Sequence, residues 1–159
     1  MVSHHSHILT PPLSQKYKQA TVAHIKHIHG FQSDPLHILA YSDGSLHKDN
    51  TGQQSAGAGW IGYHGLHDIF QGSKPLGPYM EIYNVEAIAI NAALKATVAY
   101  AMEHNVTHIH IFADNQAAVR TMFDVVLGSS QHVNLHTHSL IISFLKSSNQ
   151  HHIEVTWTL

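Results

Sequence analysis

The chain has 159 residues, 43% apolar and 11% charged, with eight Lys and Arg set against ten Asp and Glu and no cysteine. That balance excludes wholesale disorder, which pairs low hydrophobicity with high charge, and the missing thiols exclude disulfides and thiolate metal sites. It also lacks the cationic excess typical of proteins that grip phosphate backbones, Arg120 being the sole arginine.

The length suits one domain, which would bury roughly 70% of the surface its unfolded chain exposes. The first residues show neither a basic segment nor an apolar run of the secretory kind, and no stretch is read as approaching the roughly 20 apolar residues of a membrane span. The expectation is an intracellular protein, in cytoplasm or nucleus, with no membrane partner; the lack of cysteine fits a reducing compartment.

Residues 1–35 read as an N-terminal extension. Pro11-Pro12 breaks helix, the stretch through Lys16, Lys18, His24, Lys26, His27 and His29 is basic and polar, and one short helix is expected near residues 15–27. Residues 36–42 form an apolar run that Asp43-Gly44 is expected to end as a turn. Residues 55–63 read as a second strand, weakened by Gly57, Gly59 and Gly62 yet open to tight backbone contact. His64-Gly65 is a turn, and residues 67–72 read as a third strand. Their short connections predict an antiparallel meander.

The period then changes. Residues 84–103 hold no Pro or Gly and are rich in alanine, with Val85, Ile88, Ala89, Ala92 and Ala96 at helical spacing. Asn84 is the expected N-cap, and His104-Asn105 the stop. Residues 107–113 alternate as a fourth strand. Residues 116–125 predict a short helix, residues 140–147 another, and residues 152–157 a fifth strand. The order β-β-β-α-β-α-α-β, with a right-handed crossover through the long helix, brings the fourth strand back parallel to the first. The fold class is therefore α/β: a mixed five-stranded sheet, three antiparallel strands and then parallel ones, flanked by helices.

Three acids occupy special places. Asp43 is expected to end the first strand and Asp114 the fourth; in open α/β sheets, sites form outside the carboxyl ends of such strands. Glu86 falls in the first turn of the crossover helix, on the side of Ala89 and Ile90, leaning toward the sheet. Each alone has an ordinary reading: a turn aspartate, a helix cap, an acid favoured by the helix dipole. Together they would repel one another unless a divalent cation neutralises them, and Mg²⁺ suits a small carboxylate cluster.

Tyr41-Ser42-Asp43-Gly44-Ser45, Tyr83-Asn84-Val85-Glu86-Ala87-Ile88-Ala89-Ile90 and Ile109-His110-Ile111-Phe112-Ala113-Asp114-Asn115-Gln116-Ala117-Ala118 resemble, in order, the first three motifs of type 1 ribonuclease H. The variant is similar to the domain carried by reverse transcriptases of fungal non-LTR retrotransposons, and the likeness runs from about Leu36 onward. The resemblance implies a ribonuclease H-like domain over residues 36–159, with Asp43, Glu86 and Asp114 as catalytic metal ligands for Mg²⁺ or Mn²⁺. It implies an RNA/DNA hybrid as substrate, with Gly44, Ser45 and Asn115 near its backbone, and an endonuclease that cuts the RNA strand. The family's last motif runs from a strand-ending Trp through Pro-Gly-His to a helix with a fourth carboxylate. Trp157-Thr158-Leu159 opens that motif and the sequence stops, so the domain is read as truncated at its C-terminus, with the second metal position weakened and activity impaired. The alternative is a catalytically degenerate module that binds nucleic acid or protein. An incomplete C-terminal strand is also an edge through which two chains could pair as a dimer.

Eighteen histidines stand out. With an unperturbed pKa of about 6.5, they turn the chain cationic in mild acid, and nucleic-acid affinity is expected to rise as pH falls. His132, His136 and His138, expected in a loop, and His151-His152 are candidate ligands for a transition metal such as Zn²⁺; His136 and His138 would share a face only in extended chain. The His4, His5 and His7 group is a candidate for adventitious metal binding.

Overall fold

The computed structural model describes residues 13–123 and 130–158. Its elements are α1 (Leu13–Gln32), β1 (His37–Lys48), β2 (Gln54–His64), β3 (His67–Pro75), α2 (Ile82–His104), β4 (His108–Ala113), α3 (Gln116–Phe123), α4 (Gln131–Ser147) and β5 (His152–Trp157). The His4, His5 and His7 group, Pro11-Pro12 and the end of the helix expected over 116–125 lie outside the described residues.

The five strands form one sheet in the order β3-β2-β1-β4-β5. β1, β2 and β3 pair antiparallel, as their short connections require; β4 and β5 run parallel to β1. This is the mixed α/β sheet expected from the order of elements.

Side chains alternate across the sheet. Ile38 and Ala40 of β1 and Ile109, Ile111 and Ala113 of β4 point to one face. There they meet Ile90 and Leu94 of α2, Ala118 and Met122 of α3, and Ile141 and Phe144 of α4 in one buried core. α2 is alanine-rich and unbroken by Gly or Pro, so it packs close to the strands. It stops where Asn105 adopts the left-handed conformation (φ 55°), its N–H donating to the Ala101 carbonyl. α2 is long and apolar enough to span a membrane by length and composition, which corrects the expectation that no stretch approaches this. Its apolar face is spent on the sheet: Val85, Ala89, Ile90, Ala93 and Leu94 are all buried.

The other face of the sheet is covered by α1, whose His24 and His27 meet Phe112 and whose Phe31 stacks on His37 and His110. The helix is longer than the one expected over residues 15–27.

Three local expectations need correction. Asp43-Gly44 is not a turn: β1 runs on to Lys48 because it stays paired with β2, Asp43 opposite Gly59 and Gly44 opposite Ala58. Asn84 is not the N-cap of α2, which starts earlier with Glu81 as its cap; the Asn84 side chain instead accepts a hydrogen bond from Ser130 at the start of α4. Residues 131–139 are helical, so His132, His136 and His138 lie on α4 rather than in a loop. Glycine in β2 has a specific use. A Cβ on Gly62 would sit 2.2 Å from the Phe70 ring, so the bare backbone is what lets that ring lie across the strand.

Candidate metal centre

The sheet places the acids by its register. The parallel pairing of β1 with β4 ends at Ser42 opposite Ala113. The next residue on each strand is an aspartate, so Asp43 and Asp114 emerge side by side where the parallel ladder stops. Glu86 comes from α2, one turn inside the helix rather than at its start. It is 3% exposed and reaches across to β1, where its Oε2 accepts from the Gly44 N–H at 3.1 Å. The three carboxylates converge: each offers an oxygen within 4.8 Å of the other two.

Gly44 makes this convergence possible. A Cβ there would lie 2.8 Å from the Glu86 carboxyl carbon and 3.0 Å from its backbone nitrogen, so any side chain would push α2 or Glu86 away. Gly44 therefore faces Glu86. α2 is fixed in turn by a polar seam to α3 and α4. The Tyr83 hydroxyl lies 2.6 Å from Thr121 Oγ1 and accepts from Asn134 Nδ2 at 3.2 Å, and Asn91 Nδ2 donates to Thr137 Oγ1 at 2.8 Å.

Electrostatics mark the cluster as unbalanced. Among the described residues the ion pairs are His37–Asp34 and His110–Glu154, so no basic side chain answers these three acids. Burial, reinforced by Asp114 and Asp43, raises the Glu86 carboxyl from 4.5 to about 7. Burial and Asp114 also raise Asp43 above the ordinary carboxylate value. Three oxygen donors with no counter-charge form a hard ligand set, and a divalent cation such as Mg²⁺ or Mn²⁺ fits it.

Asp43 and Asp114 also line a groove of about 750 Å³ with Tyr41, Gln71, Ser73 and Phe112. Another groove of about 470 Å³ shares Asp43 and Ser73 with it and includes Ser45, His47 and Lys74. Ser45 is exposed there, its hydroxyl donating to Gly57 O at 3.3 Å. Asn115 follows Asp114, and its Oδ1 accepts from the Ala118 N–H at 3.0 Å, capping α3.

Two supports were not singled out from sequence. The Trp157 indole N–H donates to the Asp114 carbonyl at 2.9 Å, and the Thr158 N–H donates to the Ala113 carbonyl at 2.8 Å. The end of β5 thus clasps the turn that carries Asp114. The motif-opening Trp157 was visible in the sequence, but its indole contact depends on β5 lying beside β4. The late histidines do not join the centre: the acids alone make up the metal-capable group among the described residues. His136 and His138 sit two apart on a helix and face apart, while His151 stacks on Phe144 with centroids 4.0 Å apart at the end of α4.

Strand order, crossover helix and a three-carboxylate rim define a ribonuclease H-like α/β domain with an acidic centre. The chain superposes on the N-terminal ribonuclease H domain of a Mycobacterium tuberculosis protein, solved as a fusion with maltose-binding protein, with a TM-score of 0.56 and 15% identity over 77% of this chain and 81% of that one. It is likewise similar to LC11 ribonuclease H1 from compost, in complex with RNA/DNA hybrid (TM-score 0.53, 15% identity, 76% and 85% covered). A foamy viral protease-reverse transcriptase in complex with RNA/DNA hybrid matches with TM-score 0.52 and 18% identity over 76% of this chain and 17% of that one. No family model and no curated protein matches the sequence. At these identities the likeness establishes the fold: the chain has the ribonuclease H fold.

Proposed function

We propose that this protein is a metal-dependent endoribonuclease that cleaves the RNA strand of RNA/DNA hybrids. The observation that carries this reading is the convergence of Asp43, Glu86 and Asp114, with oxygens within 4.8 Å of one another, at the edge of a groove large enough to admit a nucleic-acid backbone. Two of the solved structures of the same fold hold RNA/DNA hybrid.

Asp43, Glu86 and Asp114 would hold Mg²⁺ or Mn²⁺. Such an ion supplies Lewis acidity and charge neutralisation at a phosphodiester. The chain's own residues do the rest. Glu86, buried and anchored on the Gly44 N–H, holds its oxygens in place. Asp43 and Asp114 face the groove, Asp114 steadied through its carbonyl by Trp157. Gly44, Ser45 and Asn115 border the path of the RNA strand, whose 2′-hydroxyl distinguishes it from DNA.

A second reading, a catalytically degenerate module that binds nucleic acid or protein, is favoured by composition: eight Lys and Arg give a net charge of −2 with histidine neutral. Cleavage of an end-labelled RNA/DNA hybrid in Mg²⁺ and in Mn²⁺, with Asp43→Asn alongside, separates the two. Cleavage abolished by Asp43→Asn supports the enzyme; hybrid binding without cleavage supports the module. A dimer paired through the β5 edge belongs to this proposal, and light scattering that reads a monomer at working concentration would remove it.

A further inference from the structure

The face of the sheet under α1 carries a second group of titratable side chains, at the opposite end of the strands from the acids. His37 of β1 and His110 of β4 lie edge to edge: His37 Nδ1 is 2.9 Å from His110 Nε2, and the rings are within 11° of one plane with centroids 5.1 Å apart. Phe31 of α1 lies over both, 4.2 Å from His110 and 5.2 Å from His37, tilted by only 17° and 6°. Two imidazoles thus form one flat seat for a benzyl ring. Both ends of the pair are tied to carboxylates. Asp34 Oδ2 is 3.5 Å from His37 Nε2, and Glu154 Oε2 is 3.0 Å from His110 Nδ1.

A proton count limits what this seat can hold. The bond between the rings needs one N–H facing one lone pair, so the four ring nitrogens carry at most three protons and the pair at most one charge. With the Glu154 carboxylate accepting from His110 Nδ1, His110 Nε2 must accept and His37 Nδ1 must donate. The first added proton goes to His37 Nε2, facing Asp34; Phe31 tolerates it, since an aromatic face accepts a cation. The second has only His110 Nε2, where two N–H groups would confront each other at 2.9 Å.

We propose that the His37–His110 pair is a protonation-gated seat for Phe31, so that acidification unseats the C-terminal half of α1 from the sheet. Groups facing the seat come from every element around it. α1 brings His24 and His27, the following loop Asp34, β1 Tyr41, β4 His108, and β5 His152 and Glu154. His108 stacks on His37 at 4.3 Å, and His152 lies 5.7 Å from His108. His24 Nε2 lies 2.9 Å from the Tyr41 hydroxyl and His24 packs edge-on to Phe112 at 4.7 Å. Six imidazoles therefore meet two carboxylates, and full protonation leaves an excess of positive charge beneath the helix.

The direction is consistent throughout. Burial lowers His24, His37 and His110 from 6.5, His110 to about 4. The seated helix binds protons less well than the released one, so its docking is fully present above about 6.5 and weakens as pH falls toward 4. His110 alone lowers the docking equilibrium by a factor on the order of a hundred across that window.

The chain has no cysteine, so Lys26→Cys on α1 and Lys74→Cys on β3, both exposed, can carry a fluorophore pair on the full chain. Energy transfer should report a growing separation between pH 7.5 and 4.5 while the circular dichroism of the sheet holds. His110→Gln, whose amide keeps both hydrogen bonds without taking a proton, should hold a closer separation than wild type at pH 4.5. Phe31→Ala should read as released already at pH 7.5. An unchanged wild-type separation, an equal change in His110→Gln, or release only at the pH where the sheet itself melts would each overturn the proposal.

Discussion

The two ends of the β1–β4 pair solve the same problem in opposite ways. At the carboxyl end, Asp43 and Asp114 meet Glu86 with no basic partner among the described residues, and burial drives Glu86 up to about 7. At the amino end, His37, His108 and His110 crowd together under Phe31, and burial drives His110 down to about 4. Both clusters suppress charge by moving a pKa toward the neutral form. They differ in what relieves them. A neutral imidazole both donates and accepts, so His37 and His110 hydrogen-bond each other while His110 also reaches Glu154. Carboxylates only accept when ionised. A cation from outside would relieve them, so the proposed function makes one cluster a seat and the other a binding site.

That contrast can be broken most severely at Asp43. Asp43→Asn should cut hybrid cleavage by about 10³-fold, on the order of 4 kcal/mol of barrier, and weaken Mg²⁺ binding measured by calorimetry; near-normal turnover would remove Asp43 from the centre.

The pH dependence of stability sharpens the comparison next. Without metal, folded Glu86 keeps its proton up to about 7 whereas the unfolded chain releases it near 4.5. The protein should therefore lose up to about 3 kcal/mol as pH rises through that window. Urea melts of His110→Gln, which lacks the opposing histidine titration, should show the loss between pH 5 and pH 7.5; adding Glu86→Gln should abolish it, and Mg²⁺ should restore stability at the higher pH. The histidine seat works in the other direction over an overlapping window, losing docking as pH falls, so Glu86→Gln and His110→Gln should tilt the pH profile in opposite directions.

Gly44→Ala comes third. The added methyl would press on the Glu86 carboxyl carbon at 2.8 Å, costing about 1–3 kcal/mol of stability and lowering metal affinity with it. A Gly44→Ala protein that melts and binds Mg²⁺ like wild type would show that Glu86 has room to move.

The smallest effect is expected at Trp157→Phe, which keeps the ring and removes the N–H held by the Asp114 carbonyl. About 1 kcal/mol of stability and a few-fold loss in Mg²⁺ affinity should follow in thermal melts and calorimetry, with hybrid binding little changed. A change in hybrid binding larger than the change in metal affinity would place Trp157 in the groove rather than behind Asp114.

Much of this was legible in residue order. Alanine-rich, Gly-free and Pro-free chain over residues 84–103 reads as helix because each residue supports the same local choice. Short apolar runs with turn residues between them read as a meander. Other features misled for local reasons. Asp-Gly is a common turn pair, yet Asp43-Gly44 stays extended because β2 offers it partners on the far side. Asn84 has the chemistry of a cap, but the chain enters α2 earlier and spends that side chain on Ser130. The histidines of α4 looked like loop residues because polar side chains interrupt their apolar pattern, while Asn134, Thr137, Ile141 and Phe144 bury the face that makes it a helix.

The sequence by itself determined the order of elements, the α/β class and the three acids, because periodicity, propensity and strand-end position are local properties written residue by residue. Only the tertiary structure decided that those acids meet around a glycine with no room for a methyl, that Trp157 braces one of them, and that α1 rests on a pair of coplanar imidazoles. The contacts Gly44–Glu86, Asp114–Trp157, His37–His110 and Phe31–His110 join residues 42 to 79 positions apart, and their geometry exists only once sheet register has brought the strands and helices together.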